Sequence, residues 1–324
     1  MGFPARVGME TRRVSRRWRR GPAVPLGSQE RQEERAAYLF LLPWFAGLLF
    51  FLLIPLLWSV YMSMTDEQLL RPGRFVGLGN YVYMFTADAR FYKALQVTLT
   101  WIVFAVPFFL VMGLLLSLLL NQRLPGMYAF RTILYIPAVL SGVAVTILWL
   151  VLLNPELGAV NSVLRAIGIE NPPYWFESPT WALPALAITG LWGVGGGAVI
   201  YLAGLQNIPP QLYEAASIDG AGPISKFRQI TLPMLSPTIF FLVVDGVAGA
   251  LVTFGPAFVL GGGGGASGPE DSLLFYLLYM YQRGFIEGRV GYTAALGWVL
   301  TLLGCLLVFI IFKFEKRFVY YEAE

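Results

Sequence analysis

Hydrophobic positions along the 324-residue chain fall into long, nearly uninterrupted blocks separated by short polar segments. A bilayer core about 30 Å thick needs about 20 mostly apolar helical residues. Six blocks meet that length: Ala36–Met64, Ala94–Leu120, Thr132–Leu153, Trp181–Leu205, Thr238–Leu260 and Tyr292–Phe312. The pattern predicts an all-α membrane protein with six transmembrane helices. Prolines inside the blocks (Pro43, Pro55, Pro107, Pro137, Pro184 and Pro256) argue against rigid rods, and spanning helices tolerate them where neighbours re-satisfy the freed backbone groups.

Composition narrows the class. The chain is 57% apolar and 13% charged, with a mean hydropathy of +0.65. Soluble domains average about 45–50% apolar and about 25% charged. This excludes a disordered chain, a secreted disulfide scaffold and an ordinary cytosolic enzyme. The single cysteine, Cys305, lies in an apolar run, so no disulfide or cysteine cluster can form within one chain. The absence of histidine removes His-dependent base catalysis and the usual zinc sites. No catalytic residue and no metal site are expected.

Charge adds orientation. Residues 1–35 hold nine arginines against four glutamates, and the rest of the chain is close to neutral. With no basic patch beyond that tail, no nucleic-acid partner is expected. The tail, the 121–131 turn, the 206–237 loop and the residues after Phe312 carry 16 Lys and Arg, against 7 in the other three loops. Under the positive-inside rule, both termini are cytoplasmic. The expected organisation is a basic tail (1–35), a six-span domain (36–314) and a cytoplasmic C-terminal tail (315–324). The first span is read as retained, being too long for a signal-peptide core. The paired arginines of Thr11–Arg20 suggest either a cytoplasmic anchor or a twin-arginine signal; the acids before the apolar run favour the anchor. Of the outside loops, 154–180 contains a short amphipathic stretch, Val160–Ile169. The glycine run Gly261–Gly265 lacks the Lys-Ser/Thr pair of a phosphate-binding loop and reads as a flexible outside linker.

The most specific segment is the cytoplasmic loop 207–236. Pro210 suits the first position of a helix and Gly220 its C-terminal stop. Leu212, Ala215, Ala216 and Asp219 fall on or near one face. Pro223 can start a second short helix through Ile230, with Pro233 ending it. The result is a helical elbow joining two spans. Ala215 and Ala216 let another protein approach the backbone, and Glu214 offers a carboxylate that a partner arginine could bind bidentately. A plain connector at the membrane interface is the alternative.

The spacing Glu214-Ala215-Ala216, Gly220, Ile230, Leu232-Pro233 resembles the EAA loop of ABC-importer inner-membrane permeases. The segment is most similar to the carbohydrate branch, the maltose- and glycerol-phosphate-type permeases. Phe75–Tyr81, Phe130-Arg131 with Pro137, Gly158–Asn161, Trp181–Pro184, Tyr201–Pro209 and Tyr279–Phe285 agree with that branch, so the resemblance covers roughly residues 36–314. It implies a binding-protein-dependent transport subunit in a bacterial or archaeal cytoplasmic (inner) membrane. The implied partners are a second homologous permease, two ATPase subunits, an extracytoplasmic solute-binding protein and membrane lipid. In such systems the loop is a coupling helix docking on the ATPase. No Walker A sequence occurs here, so ATP and Mg would sit on that other polypeptide and this chain would hold no cofactor. It would not be an enzyme.

Candidates for a solute path lie in the fourth and fifth spans. Asp245 is the one acidic residue well inside a span. An intramembrane carboxylate usually faces an interior or a water-filled cavity. Either it faces the path or the partner permease, or neighbouring helices hold it. Thr253, Phe254 and Gly255 lie where related permeases often carry Phe followed by Asp or Asn; here Gly255 replaces the polar residue. Trp192, Phe254 and Phe258 could stack on sugar faces or simply pack. Gly193 and Gly197, with Gly195 and Gly196 between them, suggest close helix approach or a gating hinge. The function expected is an ATP-driven carbohydrate permease. The alternatives are an importer of another small polar solute, an ion-gradient-driven carrier, which would normally show more intramembrane ionisable groups and a repeat between halves, and an intramembrane enzyme.

Overall fold

The computed structural model describes residues 28–122, 124–140, 142–262 and 265–320. The arginines of Thr11–Arg20, and Gly263 and Gly264 of the glycine run, lie outside the described residues. Two compact units meet in sequence at Leu57 and Trp58.

The first unit carries α1 (Ser28–Gly47) and a π-helical stretch, Leu48–Leu53, that leads into α2 (Ile54–Ser63). Together they give one candidate span, Glu33–Ser63. The wide turns sit just ahead of Pro55, whose ring would crowd the carbonyl one turn back in a regular α-helix.

The second unit continues with α3 (Gly79–Thr86), α4 (Ala89–Leu120), α5 (Met127–Tyr135), α6 (Gly142–Leu152), α7 (Ala159–Ala166), α8 (Ala182–Gly190) and α9 (Val194–Gln206). After these come α10 (Pro210–Ile218), α11 (Pro223–Lys226), α12 (Leu232–Met234), α13 (Ser236–Leu251), α14 (Gly255–Leu260), α15 (Tyr276–Tyr281) and α16 (Val290–Phe318). Among the described residues there is no named strand; extended pairing is limited to isolated bridges Thr65–Phe75 and Gln68–Arg71.

Five of the six expected spans are present as long apolar helices, at Glu33–Ser63, Ala89–Leu120, Ala182–Gln206, Ser236–Leu260 and Val290–Glu315. The span expected over Thr132–Leu153, with Pro137 arguing against a rigid rod, is a bent pair of helices. Helix α5 runs into a 3-10 turn, Ile136–Val139, and the chain bends by 97° before α6. Pro137 supplies no N–H and Leu140 is extended, so the helix cannot run through. Helix α6, with 11 residues, is about 16 Å long, roughly half of a bilayer core. The bent pair makes a sixth span only if both limbs count as one.

Helix α4 is the central post, packing most extensively on α9 and α13. Gly113 lets α4 approach the Tyr201 ring of α9: a Cβ there would lie 3.4 Å from it. The main core gathers Trp101, Ala105, Leu186, Ala250 and Phe275. A second core at one end of the bundle holds Met84, Phe91, Tyr276, Tyr279 and Tyr292.

Several motifs that carry the family resemblance prove to be fasteners. The Asn80 amide donates to the carbonyls of Ser63 (2.9 Å) and Thr65 (2.8 Å). Arg131 donates to the Leu120 carbonyl (2.8 Å), closing the C-terminal end of α4. Buried Asn161 donates to the Pro155 and Pro173 carbonyls and accepts from the Trp175 indole at 2.7 Å.

Candidate functional site

Three helix interruptions surround one cavity. The fourth block breaks into α8 and α9 at a 3-10 turn, Leu191–Gly193. The fifth breaks between Leu251 and Gly255, where Phe254 leaves helical geometry (φ −138°, ψ −58°). The third breaks at the 97° bend. Residues from all three breaks, including Leu140, Gly142, Trp192, Thr253 and Phe254, line a cavity of 610 Å³. Non-helical backbone at membrane depth is tolerated where it is buried in protein or lines a water-filled cavity.

Of the path candidates, Trp192, Thr253 and Phe254 share this cavity, and Asp245 does not. Asp245 lines an adjoining cavity of 330 Å³. Trp101, Phe109, Gly197 and Thr253 border both, so the two cavities are neighbours that share a wall. Among the described residues the Asp245 side chain has no hydrogen-bond or ion-pair partner, and the residue is exposed. Phe258 does not line either cavity: it stacks on Phe254 (5.2 Å) and meets Tyr281 edge-on. The glycine pair is also corrected. Added Cβ atoms at Gly193 and Gly197 would meet nothing within 4 Å, so these positions leave the cavity open. The close approach belongs to Gly195, where a Cβ would run into the Leu134 carbonyl.

The 207–236 elbow begins its helix at Pro210, as its sequence predicts. Gly220 then adopts φ +76°, a left-handed conformation favouring glycine. Its N–H donates to the Ser217 carbonyl (3.2 Å), and the Ala221 N–H reaches the Ala216 carbonyl (2.8 Å). These two bonds make a Schellman stop. Pro233 does not end the following helical run. A π-helical turn, Phe227–Thr231, leads into α12, and Pro233 sits in that helix's first turn, where a missing N–H is tolerated.

The elbow is internally tied. The Tyr213 and Thr231 hydroxyls lie 2.9 Å apart, and Lys226 Nζ donates to Ser217 Oγ (2.7 Å). Tyr213 and Ile230 pack with Leu205, Ile208 and Leu235 onto Leu114 and Leu118 of α4. Ile230 is thus an anchor of the elbow. Glu214, Ala215, Asp219 and Gly220 are exposed, and Ala216 is half-buried. Glu214 and Asp219 have no ion-pair partner among the described residues. Beside them Ile218 is 88% exposed and Ile224 76%. Leu232 and Pro233 instead border an apolar groove between α13 and α16.

One polar centre escaped the sequence reading. Asp88, 3% exposed, caps α4 by accepting from the backbone N–H groups of Arg90 (3.1 Å) and Phe91 (3.2 Å). It also accepts from the Tyr279 and Tyr292 hydroxyls and pairs with Arg283 at 3.3 Å. Burial works against the charged carboxylate, but the two tyrosine hydrogen bonds and the Arg283 charge outweigh it and hold the Asp88 pKa below its usual 3.8. Arg90 makes a second pair with Asp271, which also accepts from Ser267. The available signal was Asp directly before a helical block, an N-cap pattern.

Long apolar helices interrupted around a shared cavity define a helical membrane permease. The chain matches the family described as "Binding-protein-dependent transport system inner membrane component" over residues 79–319, and it belongs to that family. It is 37% identical over 295 residues to the probable ABC transporter permease protein YesP of Bacillus subtilis (strain 168), covering 91% of this chain and 94% of YesP. It is 36% identical over 293 residues to the lactose transport system permease protein LacF of Rhizobium radiobacter, covering 88% and 95%. The fold is similar to a chain of a bacterial ABC transporter involved in the import of the acidic polysaccharide alginate, with a TM-score of 0.78, 26% identity, and coverage of 90% and 99%. It is also similar to a chain of a bacterial alginate ABC transporter in complex with an alginate pentasaccharide-bound periplasmic protein, with a TM-score of 0.75, 26% identity, and coverage of 89% and 96%. The chain is therefore a transport subunit of an ABC importer rather than an enzyme, and the carrier and intramembrane-enzyme alternatives fall away.

Proposed function

We propose that the chain forms half of the translocation path of an ATP-driven carbohydrate importer and takes up ATPase motion through the 207–236 elbow. Relatives named for lactose, sulfoquinovosyl glycerol and arabinooligosaccharide transport support a carbohydrate cargo. In this reading both termini and the elbow are cytoplasmic, in keeping with the distribution of Lys and Arg. Residues 36–314 form the transmembrane domain between the two tails. The partners are a second permease, two ATPase subunits that carry ATP and Mg, and an extracytoplasmic binding protein.

One observation carries the reading: the elbow is tied within by its own contacts and bare on its outer surface. Exposed Glu214, Ala215, Ile218 and Asp219 present carboxylates and apolar groups to a partner. Behind them the Schellman stop, the Tyr213–Thr231 contact and the Ile230 anchor transmit force without local unfolding. The elbow joins α9 to α13, and the breaks at the far ends of these helices border the cavity. A push on the elbow therefore reaches the cavity through two stiff levers. Cargo would meet Trp192 and Phe254 as stacking surfaces and Thr253 as a hydroxyl.

The test is uptake by the assembled importer carrying Glu214→Lys or Gly220→Asp. The expected result is normal membrane insertion with loss of ATPase association and of uptake. Unchanged docking and uptake in both variants would remove the coupling role.

A further inference from the structure

The relatives leave the charge of the cargo open, because an importer of acidic alginate shares the fold with permeases named for uncharged sugars. The two neighbouring cavities bear on that choice. Their lining holds one carboxylate, Asp245, and no lysine or arginine among the described residues. The other polar lining groups are neutral. The Thr146 and Thr189 hydroxyls donate to carbonyls of their own helices, at 2.7 and 2.8 Å, and the Trp101 and Trp192 indoles are uncharged. The Asp245 side chain has no partner among the described residues and is exposed, and apolar Val106, Leu110, Leu242 and Ala250 line the same cavity. A carboxylate at the edge of a cavity with apolar walls directs its field into the space a solute would occupy.

We infer that Asp245 gives this half of the path a negative potential and makes it selective for uncharged or cationic saccharides, against those bearing carboxylate or sulfonate groups. The inference rests on the proposed role of the cavity as a path for saccharides, and it adds the charge class of the cargo. Discrimination of this kind works by repulsion. A like charge brought close to an unpaired carboxylate is disfavoured even where the shape fits. Thr253 borders both cavities and so brings the solute within reach of that field.

The test reads the potential directly and needs no knowledge of the solute. In the assembled importer, Cys305→Ser removes this chain's one native thiol, Thr253→Cys places one in the cavity wall, and labelling is read on this subunit alone. Cationic trimethylammonium-ethyl and anionic sulfonatoethyl methanethiosulfonates of similar size are then compared. The cationic reagent is expected to react at least about tenfold faster relative to its rate with a small free thiol, and Asp245→Asn is expected to abolish that preference. Equal normalised rates with Asp245 in place overturn the inference, and so does a preference that survives Asp245→Asn. Because the first comparison keeps Asp245, it decides the matter even if Asp245→Asn fails to assemble. If the preference holds but the importer moves no saccharide, it is the cargo assignment that fails and the potential of the path stands.

Discussion

Asp88 and Arg283, 195 residues apart in sequence, meet at 3.3 Å at the end of the long helix α4. Tyr279 closes the arrangement from both sides, donating to Asp88 and accepting from Arg283 Nε at 2.6 Å. Removing Asp88 would leave a largely buried guanidinium with Glu287 as its remaining acidic partner and two tyrosine hydroxyls without their acceptor. Asp88→Ala is therefore expected to destabilise the protein by about 3 kcal/mol, as breaking a buried pair from one side does. Chemical unfolding of the purified subunit in detergent measures it.

The same carboxylate sets an acid limit. Its folded-state pKa lies below the usual 3.8, so its stabilisation is complete above that value and disappears as the pH falls through the lower folded value. Between about pH 5 and about pH 3, the wild-type protein should lose more unfolding free energy than Asp88→Asn does. Equal losses in both would contradict the assignment.

Gly220 tests the elbow from the backbone side. At φ +76° a Cβ costs about 1–2 kcal/mol, so Gly220→Ala should loosen the Schellman stop and lower uptake by at least about fivefold. Gly220→Asn should retain more activity, because Asn enters the left-handed region more readily. Uptake rates normalised to subunit abundance separate the two variants.

Gly195 fixes the bent pair against α9. Even Gly195→Ala would drive a methyl into the Leu134 carbonyl, and a clash of that kind costs about 1–3 kcal/mol. Gly193→Ala and Gly197→Ala face open space and should leave stability unchanged within about 0.5 kcal/mol. Unfolding of the three variants side by side shows whether one position carries the close contact.

Local grammar made much of the elbow legible. Pro210 at a helix start and Gly220 at a helix stop act through their own backbones, so their meaning does not depend on distant residues. The apolar blocks likewise declared five spans by length alone. Pro137 flagged the third block as irregular, but proline alone does not set a bend angle, and the 97° turn depends on extended Leu140 and on the contact between Leu134 and Gly195. Asp88 looked like a loop residue because Tyr279, Arg283 and Tyr292 lie 191, 195 and 204 residues away. Asp245 was visible as the odd acid in an apolar block. Its adjoining cavity was not, because that space arises only where α4, α9 and α13 meet.

The account turns on ATP-driven saccharide transport through this subunit, and uptake into proteoliposomes holding the whole importer tests that most directly. With binding protein and saccharide outside and ATP within reach of the ATPase subunits, the lumen should accumulate solute, and a proton or sodium gradient without ATP should not support accumulation. Gradient-driven accumulation in vesicles that hold the permeases without ATPase subunits would contradict the account.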